Sequence, residues 1–115
     1  MPLLKREDMK TVKVEMEGAL NVTKASAIGA AQGWTGWSMR IFTLGKDGFT
    51  PFHSHPWPHI NYIISGTGTV HVDGKEQTVK AGDTAFIEAG EKHQFKNQGE
   101  GDLSFICIVP EEGDK

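Results

Sequence analysis

The sequence predicts an all-β protein, built as an antiparallel sandwich or barrel. Three observations carry that expectation. Short alternating or β-branched runs recur at close spacing, no stretch sustains a helical apolar period, and the fourteen glycines are spread along the chain. Glycines placed at intervals mark many tight turns and not a flexible linker. At 115 residues the chain is long enough for one core, so a single domain over residues 1–115 is expected.

Residues 1–10 form a polar lead-in in which Lys5-Arg-Glu-Asp8 has the composition for one helical turn. Thr11–Glu17 alternates apolar and charged residues with period two and reads as a half-exposed strand ending at Gly18. Asn21–Ile28, rich in small and β-branched residues, reads as the next. Gly29–Trp37 is a glycine-rich loop whose Trp34 and Trp37 are expected to cover the barrel surface or a subunit interface, a lid over a pocket being the alternative. Ser38–Leu44 is a strand, and Gly45–Gly48 reads as a turn. Asn61–Ser65 and Gly68–Val72 follow on either side of Gly66. Asp73-Gly74 signals a tight hairpin because both positions tolerate positive φ, and Glu76–Lys80 returns. Thr84–Ile87, His93–Asn97 and Leu103–Val109 are the last strands, about ten being expected in all. Residues 110–115 read as a polar tail.

The bulk numbers exclude some functions. A net charge of −3 gives no electrostatic case for nucleic acid or an anionic membrane. The start lacks the apolar core of a signal peptide, and no run approaches the roughly 18 apolar residues of a membrane helix. One cysteine, Cys107, excludes an intrachain disulfide framework. A cytoplasmic location is the default expectation.

The chemistry concentrates between Gly48 and Gly66. His53, His55 and His59 are three of the five histidines and fall within seven residues. Side chains two apart on a strand share a face, so His53 and His55 aim at one point, and His59 returns after Pro-Trp-Pro. Neutral imidazole is the commonest protein metal ligand, which makes this a candidate metal site. His71, between two valines, is expected to point outward without a role.

Two stretches resemble the two sequence motifs of the cupin family. The first family motif runs Gly, a short spacer, His-x-His, three or four residues, Glu, six residues, Gly. Residues 48–66 follow it, with four residues between Gly48 and His53 where the family usually has five, and with His59 at the glutamate position. The second motif is Gly, five residues, Pro-x-Gly, two residues, His, three residues, Asn. Residues 82–97 match it through Gly82, Gly90, His93 and Asn97, with Glu88 replacing the proline. The resemblance implies a double-stranded β-helix (jelly-roll) barrel with a metal in its mouth, and a homodimer. It makes His53, His55, His59 and His93 the ligands, similar to the small four-histidine cupins, some of which contain manganese.

Four imidazoles cancel none of a metal's charge, so the ion would remain a strong Lewis acid seeking an anion. All-nitrogen ligation disfavours calcium and magnesium and suits one divalent transition metal: manganese first, with iron, nickel, zinc or copper as alternatives. Strand parity adds Asn61 and Phe95 to the inward face. Arg40 is expected on the outer sheet; facing inward, it would anchor a carboxylate bidentately. Trp57 is placed at the mouth, to hold His55 and His59 or meet a partner subunit, and Cys107 reads as a small buried hydrophobe, a place in the pocket lining near the metal being the alternative. Glu88 and Glu91 are expected to be solvated, leaving no evident proton-transfer group. The reading is a metal-dependent enzyme on a small molecule, a carboxylate being one candidate, and a dioxygenase in first place. The alternatives are a non-catalytic ligand- or metal-binding module, a metal-dependent decarboxylase or isomerase, and a structural dimer whose metal stabilises the fold.

Overall fold

A computed structural model describes residues 1–114. Nine strands carry the chain: β1 (Thr11–Lys13), β2 (Leu20–Ile28), β3 (Trp37–Phe49), β4 (His59–Ser65), β5 (Thr67–Val72), β6 (Lys75–Lys80), β7 (Thr84–Ile87), β8 (His93–Asn97) and β9 (Leu103–Pro110). Short 3₁₀ turns at Arg6–Asp8, Ala30–Gln32 and Glu111–Asp114 complete it. No helix among the described residues is long and apolar enough to cross a membrane.

All pairings are antiparallel. The path runs β6-β5-β8-β3-β9-β4-β7, with β2 added along β3 and β1 along β2. β3 belongs to both layers: its first part pairs β2 and β9, and its end meets β8 through Phe49 and Lys96. The two layers close as a jelly roll over a core that includes Leu44, Ile63, Val70, Phe95, Leu103 and Phe105.

Several local expectations are corrected. The first strand stops at Lys13 and not Glu17, because β2 pairs only Thr11 to Lys13 before Gly18 turns at φ 86°. Gly45–Gly48 does not reverse the chain. It is an irregular stretch within β3, where Asp47 has φ 59° and Asn21 Nδ2 donates to the Lys46 carbonyl at 3.1 Å. Gly48 is therefore no turn marker; a Cβ there would lie 2.9 Å from the carbonyl oxygens of Asn21 and Gly45. Gly66 does turn, at φ 89°, and a Cβ would run into the Asp102 carbonyl. Asp73 and Gly74, at φ 48° and 85°, make the expected hairpin between β5 and β6.

Asn97 locks the barrel. Its Nδ2 lies within 3.0 Å of the carbonyls of Leu44, Gly45 and Gly101, and its Oδ1 accepts from Gly99 N–H. One buried amide thus ties the end of β8 to the bend of β3 and the loop before β9. The C-terminal tail is also not free: Glu111 N–H donates to the Gly36 carbonyl at 2.9 Å, and Glu111–Asp114 folds back as a 3₁₀ turn.

Candidate metal centre

Cross-strand register builds the site. Arg40 on β3 pairs Cys107 on β9, and Cys107 pairs Asn61 on β4. Directly opposed residues share a face, so these three side chains form one inward row. Phe42 and Phe105 form the next. His59 precedes Asn61 by two residues on the same face. His93 opens β8, and the 53–55 segment joins it by an isolated bridge, with mutual backbone hydrogen bonds between His53 and His93 of 2.9 and 3.2 Å.

One ring nitrogen from each of His53, His55 and His93 lies within 4.8 Å of the other two. His59 stands outside that compact trio but touches it: its Nε2 is 3.1 Å from His93 Nε2, and its ring centroid is 5.1 Å from that of His55. His59 and His93 are buried; His53 and His55 are half-buried.

Hydrogen bonds settle which nitrogen each ring presents. Trp57 and Glu91 offer carbonyl oxygens, which only accept, so His55 Nδ1–H donates to Trp57 at 2.8 Å and His93 Nδ1–H to Glu91 at 2.9 Å. Asn61 Nδ2 donates to the Ile106 carbonyl at 3.3 Å, which turns its Oδ1 toward His59 Nδ1–H at 2.6 Å. In its neutral form each of these rings therefore presents Nε2 as the free nitrogen. Burial, reinforced by the neighbouring His93, drives the His59 pKa down to about 3. Burial is also the main cause of the lowered values of His53, next to His55, and of His93, despite its bond to Glu91.

These residues fit a metal ion. Two Nε2 lone pairs facing at 3.1 Å repel unless a cation lies between them. Neighbouring ligands on an ion with bonds of about 2.1 Å stand about 3 Å apart at a right angle. Buried, neutral imidazoles with Nδ1 already committed are the donors that a divalent transition metal requires.

The histidines open on a cavity of about 360 Å³, a size that suits a small organic ligand. Every residue named from the sequence as a pocket candidate lines it: Asn61, Phe95, Arg40, Cys107 and Trp57. Arg40 corrects the expectation of an outer position. β3 is apolar on both faces, so composition does not reveal its parity; pairing with buried Cys107 turns Arg40 inward, with a side chain 11% exposed. Its Nη2 donates to Cys107 Sγ at 3.2 Å, its guanidinium lies 5.1 Å from the centroid of Phe42, and its buried Nε–H has no acceptor among the described residues. Cys107 is buried as expected, yet it faces the cavity and not the apolar core. Burial pushes its thiol pKa up. Trp57 stacks on His55 at 4.8 Å and 10° while its carbonyl holds the same ring. Trp34 and Trp37 are exposed and do not line the cavity, which removes the lid. His71 is half-buried against Phe52.

Sequence reasoning missed Lys24, Phe42, Phe105 and the apolar rim of Val12, Val14 and Met16. Lys24 was accessible by parity, since it stands two residues after the core residue Val22.

The model of the cupin domain (Cupin_2) matches residues 40–109. The chain belongs to the cupin family. This cupin is 42% identical over 50 residues to an oxalate-binding protein of Thermotoga maritima, covering 44% of this chain and 41% of that one. The match thus spans less than half of that relative's length. Among solved structures it superimposes on the polyketide cyclase RemF of Streptomyces resistomycificus with a TM-score of 0.88, 28% identity and coverage of 96% and 79%. A predicted oxalate decarboxylase of Thermotoga maritima gives 0.85, 26%, and coverage of 95% and 98%.

Proposed function

We propose that this cupin is a metal-dependent enzyme acting on a small carboxylate, with one divalent transition ion, manganese in first place, on His53, His55, His59 and His93. The observation that carries the reading is the cavity wall. Four histidines and two cations, Arg40 and Lys24, line it; Asp114, the carboxylate that pairs with both cations, is not among its lining residues. A glutamate in place of His59 would cancel one unit of metal charge; a neutral imidazole cancels none, so the pocket selects an anion. A bound ion would supply Lewis-acid stabilisation of charge developing on a substrate oxygen. The Arg40 fork would grip and orient the carboxylate. Phe42, Phe95 and Phe105 exclude water, which strengthens every charge interaction inside. The Cys107 thiol, raised by burial, keeps its proton at neutral pH.

A cavity with two cations and no carboxylate among its lining residues suits decarboxylation, which needs an electron sink and a proton donor more than a general base. The relatives named as an oxalate-binding protein and a predicted oxalate decarboxylase support that choice. The cyclase also points to redox-neutral chemistry, and none of these three names supports the dioxygenase expectation. The test is turnover of oxalate and other small carboxylates by protein loaded with manganese, iron or zinc, following carbon dioxide release and oxygen uptake together. Carbon dioxide release without oxygen consumption, abolished by His93→Ala, is the expected result. Oxygen uptake matching turnover overturns it in favour of the dioxygenase, and metal-dependent binding without turnover in favour of a binding module.

We also propose a homodimer. Ile60, Tyr62, Ile64 and Phe86 are each more than 40% exposed, and Ile60 and Tyr62 pair with the outward Ile108 and Ile106 of β9. That continuous apolar face on β4, β7 and β9 is a surface a second copy would cover.

A further inference from the structure

We propose that Lys24 and Arg40 form an anion subsite at the cavity rim, and that Asp114 occupies it as an internal carboxylate which an incoming carboxylate ligand displaces. The inference rests on the anion-selective reading of the cavity and adds a second cation and an intramolecular competitor to it.

Lys24 pairs Phe42 directly, and Arg40 lies two residues from Phe42 on the same face, so strand register sets the two cations side by side. Asp114 Oδ1 lies 3.4 Å from Arg40 Nη1 and 3.7 Å from Lys24 Nζ. Both contacts are made by one oxygen and both are long, whereas a bidentate carboxylate on a guanidinium sits at about 2.7–2.9 Å. The Arg40 Nε–H, buried and without an acceptor among the described residues, is a donor that Asp114 does not satisfy. The carboxylate therefore fills the subsite incompletely.

The segment that carries Asp114 reaches the mouth of the cavity. Gly113 lines it, and a Cβ at that position would lie 2.6 Å from the Trp57 indole nitrogen. Only glycine passes this close to the ring that stacks on His55. Displacing Asp114 would thus lift a three- to four-residue strap off the rim beside a ligand histidine. It is anchored at its other end by the bond from Glu111 N–H to the Gly36 carbonyl.

The test is calorimetric titration of malonate into the full chain, both metal-loaded and metal-free, at constant ionic strength. Two partly buried ion pairs of ordinary strength correspond to a factor of about two to thirty in affinity. Asp114→Asn is expected to bind malonate tighter by that factor in both forms, and Arg40→Gln and Lys24→Gln to bind it at least tenfold weaker. Arg40→Lys, which keeps the charge and loses the fork, should fall between wild type and Arg40→Gln and guards against a folding defect. Equal affinity of Asp114→Asn and wild type overturns the proposal, as does unchanged binding in Arg40→Gln. A wrong metal assignment would remove the difference between loaded and metal-free protein and leave the Asp114→Asn ratio intact.

Discussion

Asn61→Leu isolates the groups that hold a ligand from the ligand itself. Asn61 is 1% exposed and makes two hydrogen bonds, accepting from His59 Nδ1–H at 2.6 Å and donating to the Ile106 carbonyl at 3.3 Å. Leucine has nearly the same volume, so little cavity forms. Two buried polar groups lose their partner, each at about 1–3 kcal/mol. His59 also loses the bond that fixes Nδ1 as the protonated nitrogen, and loss of such a partner weakens metal binding by about 10- to 100-fold. Metal-free Asn61→Leu should therefore unfold about 2–6 kcal/mol more easily, a drop in Tm of roughly 8–25 °C for a domain of this size. Metal affinity, read by competition with a chelator, should fall at least tenfold. Asn61→Asp retains an acceptor for His59 and should recover most of the affinity. An Asn61→Leu protein that binds metal within twofold of wild type would refute the assignment of His59 as a ligand oriented by Asn61.

The remaining predictions concern pH, the barrel lock and the outer face. His59, with a folded pKa of about 3 against 6.5 in the unfolded chain, stays neutral while the unfolded chain gains a proton. The metal-free fold should thus lose stability as pH falls below about 6.5, by roughly 2 kcal/mol at pH 5 from His59 alone, with further loss from His53 and His93. Denaturant midpoints that do not change between pH 7 and 5 would contradict this. Asn97→Ala strands three carbonyls and should cost about 2–4 kcal/mol in chemical denaturation; a loss under 1 kcal/mol would show that the amide is not a lock. Phe86→Glu places a charge on the exposed apolar face and should convert dimer to monomer in sedimentation at micromolar concentration, without change in Tm of the monomer. A dimer that survives Phe86→Glu would place the interface elsewhere.

The sequence by itself determined where most strands fall along the chain, the hairpin at Asp73-Gly74 and the histidine cluster, because these rest on local signals. A strand's period and a turn's positive φ are properties of a few adjacent residues. Histidine spacing within residues 53–59 is likewise local, and the second motif supplied His93. Tertiary structure decided whatever depends on pairing between distant strands. β3 is apolar on both faces, so nothing in its own sequence shows that Arg40 points inward; only its register against Cys107 does. Lys24 enters the cavity because β2 pairs β3, and Phe42 and Phe105 meet there across two strands far apart in the chain. The tail looked solvated because its residues are polar. It folds back because Asp114 finds two cations that only the closed barrel brings together. The Asn61 amide could be placed by parity beside His59, but the direction in which it points was fixed by the Ile106 carbonyl on the neighbouring strand. Local chemistry named the candidate ligands, and long-range register built the charged wall that faces them.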